Sequence, residues 1–438
     1  MTNRITIMLL MLSVLIISSC NKKESQHLKK ESIKNMPVTD KSAAQILGNP
    51  DYQAISYGGY RMKTRNSDDQ PTLAHIKEDL LLLHAAGIRV LRTYNVQLDH
   101  AGNVLQAIKE LKSDDPSFEM YVMLGAWIDC LNAWTAKNPV HNIESPQNKD
   151  EIARAVAFAK AYPDIVKVIA VGNEAMVKWA TSYYVEPNII LKWVNHLQEL
   201  KRSGELSHDL WITSSDNFAS WGGGETRYHT EDLNKLIHAV DFISMHTYPM
   251  HDTHYNPAFW GTKPEETKFD KEKQLEAVMN RTRLYAVSQY ESVKTYMKRQ
   301  GANKPIHIGE TGWSSYSNEL YGITGSRAND EYKEALFYNH MREWTNANQM
   351  SCFYFEAFDE QWKDGNNPEG SENFFGLFTI DGRAKFALWD MVDQGRFKGL
   401  GRNGAPVTKT FNGNRAELMK TVELPPVKDS IYIPKFNN

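Results

Sequence analysis

The sequence predicts an α/β fold, a (β/α)8 TIM barrel, from three observations. Eight short runs of strand character recur along the chain, at 54–61, 87–95, 119–129, 166–174, 210–217, 240–249, 305–313 and 352–362. Each is followed by a stretch of helical character, and strict strand–helix alternation argues for parallel βαβ units, eight of which close a barrel. The 438 residues, 41% of them hydrophobic, are enough for one such barrel, although length alone would also allow two or three ordinary domains.

Taken in order, residues 1–20 carry a basic residue at Arg4, an apolar run from Ile5 to Ile17, and Ser18-Ser19 before Cys20. That pattern is a secretory signal, and Leu15 to Cys20 resembles a bacterial lipobox, with Cys20 as the lipidation site. An ordinary cleaved signal is the competing reading. Residues 21–45, rich in Lys, Glu, Ser and Gln, are expected to form a flexible tether. The expected location is extracytoplasmic and lipid-anchored, at the outer membrane or surface of a Gram-negative bacterium.

The barrel is expected over 46–395. Pro71-Thr72 precedes Leu73, Ile76, Leu80 and Leu83; Glu186-Pro187-Asn188 precedes Ile190, Leu191, Val194 and Leu197; Asn329-Asp330 precedes Tyr332, Leu336 and His340. Each pairs a helix-start signal with a helical apolar period. Met250 to Phe269 is a long loop at the end of the barrel where function is placed. Residues 396–438, rich in Gly, Pro and basic side chains, are expected to pack on the barrel's outside as an extension.

The run Pro305 to Ser314 reads Pro-Ile-His-Ile-Gly-Glu-Thr-Gly-Trp-Ser, a short buried strand that stops at Glu310. Val166 to Glu174 has the same form and ends Gly172-Asn173-Glu174. Carboxylates at the C-terminal ends of two barrel strands sit where chemistry is placed, and two facing carboxyl groups are what glycoside hydrolysis requires. The alternative is that each glutamate caps the helix after its strand. A net charge of −3, from 50 basic and 53 acidic residues, leaves no electrostatic footprint for nucleic acid and suits a neutral polymer.

Val171-Gly172-Asn173-Glu174, Gly309 to Ser314, and the pair Asp359-Glu360-Gln361-Trp362-Lys363 and Glu372 to Phe378 together resemble glycoside hydrolase family 17, the endo-β-1,3-glucanases and related clan A enzymes. The resemblance runs from about residue 55 to 386. It implies a retaining hydrolase of β-1,3-glucan, with Glu310 as nucleophile and Glu174 as acid/base, Asn173 on the sugar 2-hydroxyl, and Tyr248 orienting Glu310. Glu360, Lys363 and Glu372 would then stand beside the reacting sugar. Alternatives are a β-1,3-glucan transglucosylase, a hydrolase of β-1,6- or mixed-linkage glucan, or, in a different class, a non-catalytic glycan-binding lipoprotein. No cofactor or metal is expected, the partner is a β-glucan, and the chain is expected to be a monomer. Strand six, Ser244 to Pro249, strand eight, Phe355 to Glu360, and the Met250 to Phe269 loop depart from the plant glucanase pattern.

Trp127, Trp134, Trp179, Trp221, Trp260, Trp313 and Trp362 all fall at or beyond strand ends, where flat rings stack on sugars. Of these, Trp313 and Trp362 are the expected substrate platforms. Arg92 and Tyr94, two apart on strand two, point the same way and either bind a hydroxyl or buttress Glu310; a structural pairing of Arg92 with a core carboxylate is the alternative. Asp216 and Asn217 divide in the same manner. His246, His251 and His254 are expected to play ordinary polar roles, and Cys130 and Cys352, on opposite barrel faces, are not expected to pair.

Overall fold

The computed structural model describes residues 41–434, so Cys20, the signal and most of the tether lie outside the described residues. Eight parallel strands close a barrel. They are β1 (Gln53–Ser56), β2 (Ile88–Arg92), β3 (Tyr121–Ala126), β4 (Val166–Asn173), β5 (Trp211–Asn217), β6 (Ile243–His246), β7 (Ile306–Gly312) and β8 (Cys352–Phe355). Each hydrogen-bonds to its sequence neighbours, and β1 closes on β8 through Ala54 and Phe353. Among the described residues seven helices of nine residues or more lie between the strands, besides the shorter Pro249–Tyr255: α1 (Leu73–Ala85), α2 (Asp99–Asp114), α3 (Asn148–Ala161), α4 (Pro187–Arg202), α5 (Glu231–Ala239), α6 (Lys271–Arg299) and α7 (Glu331–Ala347). The helix after β8 is a short turn, Trp389–Asp393.

The start signals act as their chemistry dictates. Thr72 accepts from the His75 amide, Asp330 from the Lys333 amide, and Pro187 occupies the first turn of α4, where a missing N–H costs nothing. The strands are shorter than their apolar runs. The first ends at Ser56 rather than Arg61 and the last at Phe355 rather than Trp362, because both then leave the barrel wall to line its rim. A two-stranded antiparallel ribbon, Cys130–Leu131 with Val140–Glu144, rises from the end of β3. Cys130 and Cys352 are both free and buried.

Inside the barrel the floor is apolar. Val90, Tyr121, Met123, Val168, Ala170, Phe242 and Phe353 pack together there with Ile46 and Leu47. The tether boundary therefore moves: Ala43–Ile46 is one helical turn, Ala43 and Ile46 are fully buried, and the turn is held to the floor by the Ala43 amide on the Asp209 carbonyl. The chain before it has the composition of a linker, but Ile46, with Leu47 after it, covers the open end of the barrel. The segment at 250–269 is likewise more ordered than a loop reading implies: most of the helix Pro249–Tyr255 falls in it, and its own Met250, Phe259 and Trp260 are buried.

Residues 396–434 lie against the barrel's outer face. Leu418 and Val422 pack with Leu275, Tyr332 and Trp389, and buried Arg402 pairs with buried Asp79 of α1. The floor assignment makes a stability prediction. Ile46→Ala should cost about 2–4 kcal/mol in urea unfolding, the range for emptying a buried aliphatic site. A cost near that of an exposed substitution, below about 0.5 kcal/mol, would show that the turn is no part of the core.

Candidate active site

At the C-terminal ends of the strands the barrel interior turns polar. Glu310, on β7, is 7% exposed and receives three donors. The Tyr248 hydroxyl donates to Oε1 at 2.6 Å, the Tyr94 hydroxyl donates to Oε2 at 2.9 Å, and the Arg92 Nη1 forms an ion pair with Oε2. Burial alone would raise the carboxyl pKa, but the Arg92 guanidinium, then His246 and the two tyrosine hydrogen bonds, outweigh it and hold the group at about 2. Both tyrosines are pushed up, by burial and then by the charge on Glu310, so they stay protonated donors.

Glu174 follows β4 in the left-handed region, with φ of 45°, just after Gly172 at φ of 81°. Glycine adopts that backbone freely and glutamate does not, so the turn must be held from outside. It is: the Glu174 amide donates to the Ser215 carbonyl at 2.9 Å, and the Met176 amide donates to Asp216 Oδ2 at 2.7 Å. Burial, with a contribution from the charge on Glu174, raises the Asp216 carboxyl to about 7. Asp216 is thus placed behind the acid and braces its main chain.

The two glutamates are linked through β6. His246 Nδ1 lies 3.1 Å from Glu174 Oε1, and its Nε2 lies 3.3 Å from Arg92 Nη2 and 2.7 Å from Ser215 Oγ. In the tautomer with its proton on Nδ1 the ring donates to Glu174, and Nε2 is left to accept from Ser215 Oγ or Arg92 Nη2. Arg92 Nη2 also donates to Asn173 Oδ1. Arg92 therefore buttresses Glu310 and fixes Asn173 at once. Gly309 makes room for this: a Cβ there would lie 2.0 Å from Ser244 Oγ and 2.7 Å from Ser215 Oγ.

Glu360, Trp362 and Lys363 stand together across the rim. Glu360 Oε1 accepts from the Tyr60 amide at 2.8 Å and Oε2 from the Trp362 indole at 3.0 Å. Lys363 Nζ sits 3.4 Å from both Glu360 and Glu356, over the Phe355 ring. Glu372 lies on the other side of the cleft, 3.5 Å from His251. Glu356 went unread in the sequence. It is fully buried, its carboxyl is pushed up by burial, and its Oε1 has no hydrogen-bond partner among the described residues.

The tryptophans divide sharply. Trp313 is not a substrate platform: it is fully buried, donates to the Ala328 carbonyl at 2.8 Å, and packs on Trp260 and Phe337. Its ring turns away from the cleft because it follows inward-facing Glu310 and Gly312 into the layer beneath α7. Trp221 and Trp260 are buried as well. Trp362, Trp127 and Trp134 line one cavity of about 500 Å³ that reaches Asn173 and Glu310. Trp179, Tyr228 and Tyr255 line a second, of about 890 Å³, that reaches Glu174 and Glu310. A third cavity, about 1040 Å³ beside the start of α7, contains neither glutamate.

His246 and Ser215 were not singled out for the site from sequence. The signal was present in the two-residue period: Ser244, His246 and Tyr248 fall on one side of their strand, and Tyr248 was already assigned to Glu310.

Known proteins were compared with this frame. A solved endo-laminarinase from Formosa Hel1_33_131 is 64% identical, with a TM-score of 0.88, over 90% of this chain and 99% of that one. A Rhizomucor miehei beta-1,3-glucanosyltransferase, solved as an active-site mutant with laminaritriose, shares the fold at 19% identity and a TM-score of 0.52, over 77% of this chain and 96% of that one. A glucan 1,3-beta-glucosidase of Arthroderma benhamiae is 35% identical over 94 residues, 20% of this chain. The chain spans only 29% of the length of that curated relative. The family model described as the BtgE/BtgC glycoside hydrolase domain matches residues 54–376. That match covers both glutamates, Arg92 and the strand-eight acids, and it agrees with the resemblance to glycoside hydrolase family 17: the chain belongs to the BtgE/BtgC glycoside hydrolase family.

Proposed function

We propose that this chain hydrolyses β-1,3-glucan of the laminarin type with retention of configuration. The observation that carries the reading is the asymmetry of the two carboxyls. Glu310 is buried, charged and fixed by three donors, as a nucleophile must be, whereas Glu174 is partly open to the cleft and touches one histidine. Glu310 would attack the anomeric carbon while Glu174 protonates the departing glycosidic oxygen. Glu174 would then take a proton from water as the glycosyl-enzyme is cleaved. Asn173, with its oxygen held by Arg92, turns its amide N–H groups toward the sugar.

The 64% identity to an endo-laminarinase supports the linkage, and cavities on both sides of Glu310 suit a chain that continues past the cleaved bond in each direction. The aromatic cavity beside Glu174 also favours a second reading, in which an acceptor sugar seated there takes the glycosyl group in place of water. We further infer that the protein is held at a membrane through lipidated Cys20, as Arg4, the apolar run 5–17 and Ser18-Ser19 support.

Glu310→Gln and Glu174→Gln should each lower kcat on laminarin by at least about a thousandfold, and azide with an activated β-glucoside should give the β-glycosyl azide from Glu174→Ala but the α-glycosyl azide from Glu310→Ala. NMR of the first-formed product should show the β-anomer; an α-anomer would overturn retention, and products longer than the donor would establish transfer. Arg92→Met removes the charge that holds Glu310 low. The pH below which kcat/KM is lost should then rise by about one unit or more, because burial is then opposed only by His246 and the two tyrosine hydrogen bonds; an unmoved acidic limb would show that Arg92 does not set the nucleophile's charge. Cys20→Ala should release the full chain from the detergent phase in Triton X-114 partitioning, and retention there would overturn the anchor.

A further inference from the structure

Four tryptophans reach the cleft, and one of them is built as a platform. Trp134 is 62% exposed, yet its ring is fixed. It stacks on Tyr183 at 4.8 Å and 19°, and Tyr183 packs in turn against Trp127 at 5.7 Å. The indole N–H groups of Trp127 and Trp134 both donate to Asp129 Oδ1, at 2.8 and 3.2 Å. The Trp134 backbone is left-handed, with φ of 61°, and so is that of Asn132, with φ of 64°. Asparagine enters that region readily but tryptophan does not, so Trp134 is held there at a cost and places a large apolar ring in water.

The two other tryptophans of its cavity lack this combination. Trp362 has the Arg65 guanidinium 4.2 Å from its ring and Tyr60 edge-on at 5.6 Å, so it is already covered. Trp127 is half-buried beneath Tyr183. Trp134 has one face on Tyr183 and the other open, on the wall of the same cavity that contains Asn173 and Glu310. A ring fixed before binding loses little entropy when a flat apolar surface is laid on it, and the axial C–H face of a β-linked glucosyl unit is such a surface.

We propose that Trp134 is the stacking platform of a distal subsite for a glucosyl unit of the same β-1,3-glucan chain that is cleaved between Glu174 and Glu310. The subsite rests on the proposed hydrolysis for the identity of its ligand. Tyr183 carries the ring and Asp129 sets its rotation, so both are positioning residues.

The test compares wild type, Trp134→Ala and Trp134→Phe on laminarin and on β-1,3-linked gluco-oligosaccharides of increasing length. Wild-type kcat/KM should rise with length and show a step where the chain first reaches Trp134. In Trp134→Ala that step should vanish, with KM for laminarin raised about tenfold and kcat within about twofold, while the shortest cleaved oligosaccharide is unaffected. Trp134→Phe should restore most of the step. Equal losses on short and long substrates, or an unchanged step, would overturn the subsite. In Glu310→Gln, laminarin should shift tryptophan fluorescence, and adding Trp134→Ala should abolish most of that shift; an undiminished shift would also overturn it. Inactivity of the wild type on every β-1,3-linked substrate would instead sink the hydrolysis reading, which separates the two failures.

Discussion

The pairing of Arg92 with Glu310 is the interaction on which the upper half of this barrel depends. Both groups are almost fully buried, and ions removed from water are tolerated only when their hydrogen-bonding capacity is met by partners in good geometry. The surroundings meet most of it, with Arg92 Nε left unpartnered among the described residues. Tyr94 and Tyr248 supply the remaining donors to the carboxylate, and Asn173 and His246 take up the second arginine nitrogen. The same contacts that make the charge affordable also dictate which way Asn173 and His246 face, so stability and orientation come from one network.

The glutamate opposite is held differently. Its side chain touches His246 alone among these groups, and its backbone is gripped by Ser215 and Asp216 from the next strand. The contrast gives the two carboxyls distinct electrostatic surroundings although they stand in similar sequence contexts. The glycines before them also differ in purpose. Gly172 permits a left-handed turn that aims Glu174, whereas Gly309 leaves a hole for the serine hydroxyls behind β7.

The aromatic residues show how burial sorts side chains of one type. Trp313, Trp221 and Trp260 satisfy their indole N–H groups on backbone carbonyls and fill the layer between barrel and helices. Trp127, Trp134 and Trp362 satisfy theirs on carboxylates at the cleft, where water and substrate have access. The partner of the N–H, unlike the position along the chain, separates core from cleft.

Strand–helix alternation, the paired motifs ending at Glu174 and Glu310, and the Arg92, Tyr94 and Tyr248 positions were legible in the sequence, because strand periodicity and βα order are local properties that fix which end of the barrel a residue reaches. The burial of Trp313 was not legible: the residue follows a strand end as Trp362 does, and only the packing of α7 and the 250–269 segment over it decides that it is core. Nor was the role of residues 41–47, where Ile46 and Leu47 pack onto the floor. The His246 bridge and the brace from Asp216 likewise join residues far apart in the chain, and such contacts exist only once eight strands have closed in register. The sequence by itself therefore determined the barrel and the carboxylates at its mouth, while tertiary closure alone decided which neighbours set their charge, since electrostatic environment depends on distance through space and not along the chain.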